Sequence, residues 1–166
     1  MKSLFILTSA LLFTANVLAE NDPLWMRYPA ISPNGETIAF TYKDIYKVPA
    51  KGGTATQLTT QSSYECTPIW SPDGKEIAFA SDRNGNFDIF IMDMEGGSPK
   101  QLTTHSANEY PETFSDAKHI LYSAAIQQDA KDSQFPSGQF PQIYRIGING
   151  GRPELYSSLA MESLAL

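Results

Sequence analysis

The strongest constraint on how this chain can fold is that it repeats itself. Residues 28–60 run Tyr-Pro-Ala-Ile-Ser-Pro-Asn-Gly-Glu-Thr-Ile-Ala-Phe, then Asp-Ile-Tyr-Lys-Val, then Gly-Gly, then Gln-Leu-Thr-Thr. Residues 67–104 run Thr-Pro-Ile-Trp-Ser-Pro-Asp-Gly-Lys-Glu-Ile-Ala-Phe, then Asp-Ile-Phe-Ile-Met, Gly-Gly and Gln-Leu-Thr-Thr. A decayed third copy spans Tyr110 to Tyr156. It keeps Tyr110-Pro111, Phe114-Ser115-Asp116, Ile120-Leu121-Tyr122, Ile143-Tyr144 and Gly150-Gly151. Self-similarity at a period of about 40 residues is the mark of stacked supersecondary units, none of which buries its apolar face alone.

The spacing is not uniform. Pro33 and Pro72 stand 39 apart, whereas Gly53 and Gly97 stand 44 apart. The difference lies in the middle turn, where the first copy passes from Phe40 to Asp44 through three residues and the second inserts Ala80 to Phe87. The third copy has only Asp116-Ala117 where the others have a Pro-Asn/Asp-Gly turn, and it carries a long insert from Ile126 to Pro141.

Each copy is expected to form four short strands. In the second copy these are Thr67–Ser71, Glu76–Ser81, Asp88–Met94 and Lys100–Thr103. Pro72-Asp73-Gly74 turns the chain because proline presets φ and glycine accepts positive φ. No stretch after residue 20 carries sustained helical periodicity. Short strands at even spacing within a fixed repeat give an all-β fold, a partial β-propeller of about three four-stranded blades plus the start of a fourth. The blades are assigned to residues 26–60, 65–104 and 108–157, within a domain over 20–166. The aromatics Trp70, Phe79, Phe90, Phe114 and Tyr122 fall at matched places and are expected to pack between blades. Leu58 to Trp70 and Leu102 to Phe114 are both twelve residues. The same step from Leu155 makes residues 158–166 the lead-in to a fourth blade.

The N-terminus has a separate purpose. Met1-Lys2 supplies a positive charge, Leu4 to Val17 is apolar, and Val17-Leu18-Ala19 places small residues at the −3 and −1 positions of a cleavage site. Residues 1–19 are therefore expected to be a signal peptide and the protein to be exported, periplasmic or extracellular. The run is short for a membrane span, and no cysteine follows the site, so a stable membrane anchor is not expected. Losing Lys2 leaves eleven basic against eighteen acidic residues, a net charge of −7. Nucleic acid is not an expected partner of such a surface, since phosphate binding needs clustered Lys and Arg.

Few residues offer chemistry. The chain holds one cysteine, Cys66, so no intramolecular disulfide can form. Cys66 is expected just before the first strand of the second copy, half-buried, near the level of Glu112 in the third. The two histidines are His105, in a loop, and His119, at a hairpin position matching Lys75 or Glu76. Both are expected at the surface. No G-x-S-x-G or H-E-x-x-H motif is present, and no nucleophile, base and orienter can be assembled. Residues Asp82 to Asp88 alternate oxygen-bearing side chains, but an EF-hand would need glycine sixth and glutamate twelfth, where Phe87 and Asp93 stand. The segment is expected to be an Asx-rich turn. The insert Ile126 to Pro141 is a candidate partner-facing loop or a solvated one. No catalytic, cofactor-binding or metal-binding residue is assigned.

The motifs Ser-Pro-Asp-Gly-Lys-x-Ile-Ala-Phe (71–79), Ser-Asp-Arg-x-Gly-x-x-Asp-Ile (81–89) and Gly-Gly…Gln-Leu-Thr (96–103) resemble the WD-like propeller repeat. That repeat is shared by tricorn-type peptidases, the Tol-system periplasmic propeller and some prolyl-peptidase relatives. The opening Trp25 to Phe40 is similar to that of tricorn-like secreted peptidases, which begin with the propeller. The Tol-type protein places an α/β domain first. The resemblance implies a non-catalytic propeller that guides or admits peptides, with a serine peptidase core far downstream. The alternatives are a Tol-like module that binds a protein partner and the propeller part of a prolyl-peptidase relative. Peptides or a protein, together with missing blades or a downstream peptidase domain, are the implied partners.

Overall fold

A computed structural model of the protein describes residues 25–126 and 141–157. Every regular element among them is a strand. The first sheet comprises β1 (Arg27–Ile31), β2 (Thr37–Tyr42), β3 (Asp44–Pro49) and β4 (Thr56–Gln57). The second comprises β5 (Glu65–Trp70), β6 (Glu76–Ser81), β7 (Asp88–Asp93) and β8 (Lys100–Gln101). The third comprises β9 (Glu109–Asp116), β10 (His119–Ala124), β11 (Gln142–Gly147) and β12 (Glu154–Ser157). Each is a four-stranded antiparallel meander in sequence order, which is the blade of a β-propeller. The expected signal peptide, residues 158–166 and all of the insert but its two end residues lie outside the described residues.

Alternation along each central strand gives every blade two unlike faces. Ile77, Phe79, Phe90 and Met92 of blade 2 pack with Trp70 against Ala39, Ile45 and Leu58 of blade 1. The opposite face of blade 2, with Ala78, Ile89, Ile91 and Leu102, packs against Ile120, Tyr122, Tyr144 and Ile146 of blade 3. One face thus carries a stacked aromatic pair and the other carries small and aliphatic residues. The pair recurs on the same rung in all three blades: Phe40 with Tyr46, Phe79 with Phe90, and Tyr122 with Tyr144, at 5.6, 6.1 and 5.6 Å between ring centroids. The matched aromatics of the repeat are therefore inter-blade packing, as their phase implies.

The innermost strands need a bulge to hold this register. Pairing slips between Cys66 and Ile69, and Thr67 adopts φ of 50°. Tyr28 does the same in β1 at 51°. A β-branched residue in this region is strained, and a bulge is where strands accept it. Register also corrects three expectations. Cys66 lies inside β5, opposite Ala80, and is buried rather than half-buried. Its counterpart is Tyr110, opposite Ser123, and not Glu112. Pro111 consequently stands one place earlier than Pro29 and Pro68 do. On the outer edge, Tyr144 pairs with Leu155 as Phe90 pairs with Gln101, so Tyr156, not Leu155, occupies the place of Leu58 and Leu102.

Candidate functional site

The two ends of the blades are built differently. At one end, the hairpins joining first to second strands repeat a single design. Ser71 Oγ donates to Asp73 Oδ1 at 2.7 Å and accepts the Glu76 amide at 2.9 Å, while Asp73 Oδ1 accepts the Lys75 amide at 3.1 Å. Ser32, Asn34, Glu36 and Thr37 repeat the pattern in blade 1. The Ser71 hydroxyl and the Lys75 amide hold the Asp73 carboxyl below its ordinary value. Gly74 closes the turn at φ of 70°, as the Pro-Asp-Gly motif implies. Blade 3 turns more tightly through Ala117-Lys118, with Asp116 Oδ1 capping the Lys118 amide at 2.7 Å.

Between the first two hairpins lies a groove of about 340 Å³, whose apolar lining comes from Pro33, Pro72, Trp70 and Met94. Trp70 is fixed by its Nε1–H, which donates to the Ala30 carbonyl at 2.9 Å. Ser32, Asn34, Thr37 and Asp73 also line it, so the groove offers a ligand polar and apolar surface in similar measure. The volume is at the low end for ligand sites and suits one or two side chains.

The other end carries buried polar seams that sequence reasoning did not single out. Asp44, Thr59 and Glu65 recur as Asp88, Thr103 and Glu109, all buried and each 44 residues from its copy. That shared interval was the available signal, because acids repeating in phase are structural or functional rather than random. Thr59 Oγ accepts the Ile45 amide at 2.9 Å and donates to Glu65, while Gln57 Nε2 donates to Asp44 at 2.9 Å. In the second seam Thr103 accepts the Ile89 amide and Gln101 donates to Asp88, again at 2.9 Å.

The residues weighed from sequence are dispersed. His105 is exposed in the loop after β8, and its Nδ1 accepts the Ala107 amide at 3.0 Å. His119 begins β10 beside Asp116, with Nδ1 to Oδ2 at 2.9 Å. Ser115 is on the same hairpin, but its hydroxyl donates to the His119 carbonyl rather than the imidazole. Burial pushes the Cys66 thiol up to about 11, away from thiolate chemistry. The polar groups of the Asp82–Asp88 loop are engaged within the protein, several of them on backbone. Asp82 Oδ1 accepts the Tyr64 amide, Asn86 Nδ2 donates to the His105 and Ala107 carbonyls, and Asn108 Oδ1 accepts the Phe87 amide. No cluster of three His, Cys, Asp or Glu side chains arranged for a metal occurs among the described residues.

The model of the Tricorn protease N-terminal beta propeller domain matches residues 23–165. The chain belongs to this family. It is similar to Tricorn protease homolog 1 of Streptomyces coelicolor, 35% identical over 82 residues, covering 49% of this chain and 8% of that protein. It is also similar to the Tol-Pal system protein TolB of Xanthomonas oryzae pv. oryzae, 35% identical over 98 residues, covering 52% of this chain and 22% of the other. Among solved structures, TolB of Acinetobacter baumannii is 27% identical with a TM-score of 0.61, over 81% of this chain and 33% of that one. The tricorn protease itself shares the fold at a TM-score of 0.56 and 17% identity, over 83% of this chain and 15% of that one. This tricorn-type propeller therefore spans a minor part of the length of these relatives. No helix among its described residues is long and apolar enough to cross a membrane.

Proposed function

We propose that this chain is the non-catalytic propeller of an exported, tricorn-like serine peptidase, and that it guides or admits peptides toward a catalytic core carried elsewhere. The observation that carries the reading is the family match over residues 23–165. The groove lined by Trp70 and Met94 together with Ser32, Asn34 and Asp73 supports it, being the size of one or two side chains of a passing peptide and offering both polar and apolar surface. The test is binding of short fluorescent peptides rich in apolar residues to the pure chain. Saturable binding without cleavage is expected, with Met94→Lys weakening it about tenfold, the equivalent of about 1.4 kcal/mol. Cleavage by the pure protein that a single Ser→Ala change abolishes overturns the non-catalytic reading. Export is tested by N-terminal sequencing from an exporting host, with Glu20 expected first and a retained Met1 counting against it.

A second reading is favoured by the similarity to TolB. There the chain is a binding module for a folded protein in the periplasm. Absence of peptide binding, together with stoichiometric capture of one periplasmic protein, selects this reading.

A further inference from the structure

The two inter-blade seams share a plan but are closed by different means. In the first, Glu65 lies opposite Ser81, fully buried, beside Asp44. Arg83, two residues past Ser81, pairs with it and lies over the Phe90 ring at 4.2 Å. In the second, Glu109 lies opposite Ala124, fully buried, with Asp88 in the place of Asp44. Two residues past Ala124 stands Ile126, which packs into the apolar core. The cation of the first seam has thus become a hydrocarbon, and Phe79 has become Tyr122.

Glu109 is left in an unusual position. No hydrogen bond of ordinary length and angle reaches either of its carboxylate oxygens, although the Thr103 and Tyr122 hydroxyls face them. A second carboxylate, Asp88, faces it. Two buried like charges with no cation between them are strongly disfavoured. One proton resolves the conflict, because a protonated carboxyl is a donor and Asp88 is an acceptor. Asp88 already receives Gln101 Nε2 at 2.9 Å and Asn86 Nδ2 at 3.3 Å, which favour its ionised form, so the proton belongs on Glu109. The remaining groups facing the pair are Thr103 and Tyr122 on Glu109 and the exposed His105 on the Asp88 side.

We propose that a proton shared between Glu109 and Asp88 holds the seam between blades 2 and 3 shut, making it a pH-sensitive joint beside the Arg83-locked seam. Burial, opposed by the Thr103 hydroxyl and reinforced by the Asp88 charge, pushes the Glu109 carboxyl from 4.5 up to about 7. The closed seam therefore binds the proton more tightly than an opened one. Its tightness is fully present below about 4.5 and is lost as pH rises through about 7. One proton across that interval changes the opening constant by up to about 300-fold, at most about tenfold per pH unit.

The test is amide hydrogen exchange on the full chain between these pH values, corrected for intrinsic exchange. The reporters are the Glu109 amide, which donates to the Phe87 carbonyl at 2.7 Å, and the Ile89 amide. Their opening is expected to rise with pH in the wild type. It should be flat in Glu109→Gln, whose amide donates to Asp88 without titrating, and suppressed at neutral pH in Ile126→Arg, which restores the missing cation. A wild-type slope in Glu109→Gln overturns the proposal. If neither variant folds, a carbon-13 titration of the wild-type Glu109 carboxyl decides. A midpoint above about 6, outside the usual range for a glutamate, sustains the joint, and one below that refutes it.

Discussion

Replacing Arg83 with methionine isolates what its charge does, because methionine keeps apolar surface over the Phe79 and Phe90 rings. The Glu65 side chain is 0% exposed and that of Arg83 only 16%. After the change Glu65 keeps Thr59 as its single side-chain donor. Removing one partner of a buried ion pair typically costs 3–5 kcal/mol, and loss of the cation–π contact is contained within that figure rather than added to it. An upper bound applies, because Glu65 can take up a proton instead. Burial already raises its carboxyl above the ordinary value, and Arg83 is one of the influences holding it down. The expected loss is therefore about 3 kcal/mol at pH 8 and smaller at pH 5, against a total stability of about 5–15 kcal/mol for a domain. Urea unfolding followed by the fluorescence of Trp70 measures it. The double variant with Glu65→Gln should recover much of the loss, giving a coupling well outside additivity. A loss below about 1 kcal/mol at pH 8, or strict additivity, refutes the argument that a buried charge is being neutralised.

Gly74→Ala should destabilise by about 1 kcal/mol or more, since φ of 70° strains any Cβ; the urea midpoint reports it, and an unchanged midpoint refutes it. Cys66 should react with a thiol reagent at pH 8 only as fast as the chain unfolds, because its thiol sits at about 11 and is buried. Reaction at the rate of a free thiol counts against the placement of β5. Asn86→Ala should loosen the loop after β8 by removing donors to the His105 and Ala107 carbonyls, at 2.8 and 3.1 Å. A loss of about 1–2 kcal/mol is expected, and faster proteolytic nicking near His105 would accompany it.

Most of the architecture was legible because it was written in two nearly identical copies. Strand β6 falls on Glu76–Ser81 as the pattern implies, and Gly74 has the positive φ that its turn demands. What was illegible follows from the inner-strand bulges. Counting from Thr67-Pro68 sets β5 two residues late, because the slip between Cys66 and Ile69 adds residues that no alternation pattern records. The decayed copy compounds this, since Pro111 and Leu155 look like landmarks but sit one place off the equivalent rungs. The polar seams were hidden for another reason. Glu65 and Glu109 are charged residues in segments that read as loop, and their burial is produced by the neighbouring blade, not by their own sequence.

The unlike faces of each blade bear on how such a chain grows. The Phe79–Phe90 side of blade 2 fits the Ala39–Ile45 side of blade 1, and the Tyr122–Tyr144 side of blade 3 fits the Ala78–Ile89 side of blade 2, so one apolar contact is made twice head to tail. Nothing in that fit fixes how many units follow one another. Within that contact one position of the small-residue face varies from blade to blade. Ala39 and Ala78 hold that face thin, while Leu121 stands at the equivalent position of blade 3. A gene that lengthens by tandem duplication therefore reuses the apolar contact, while the polar seam beside it diverges, as the Arg83–Glu65 pair of one joint and the uncompensated Glu109 of the other show.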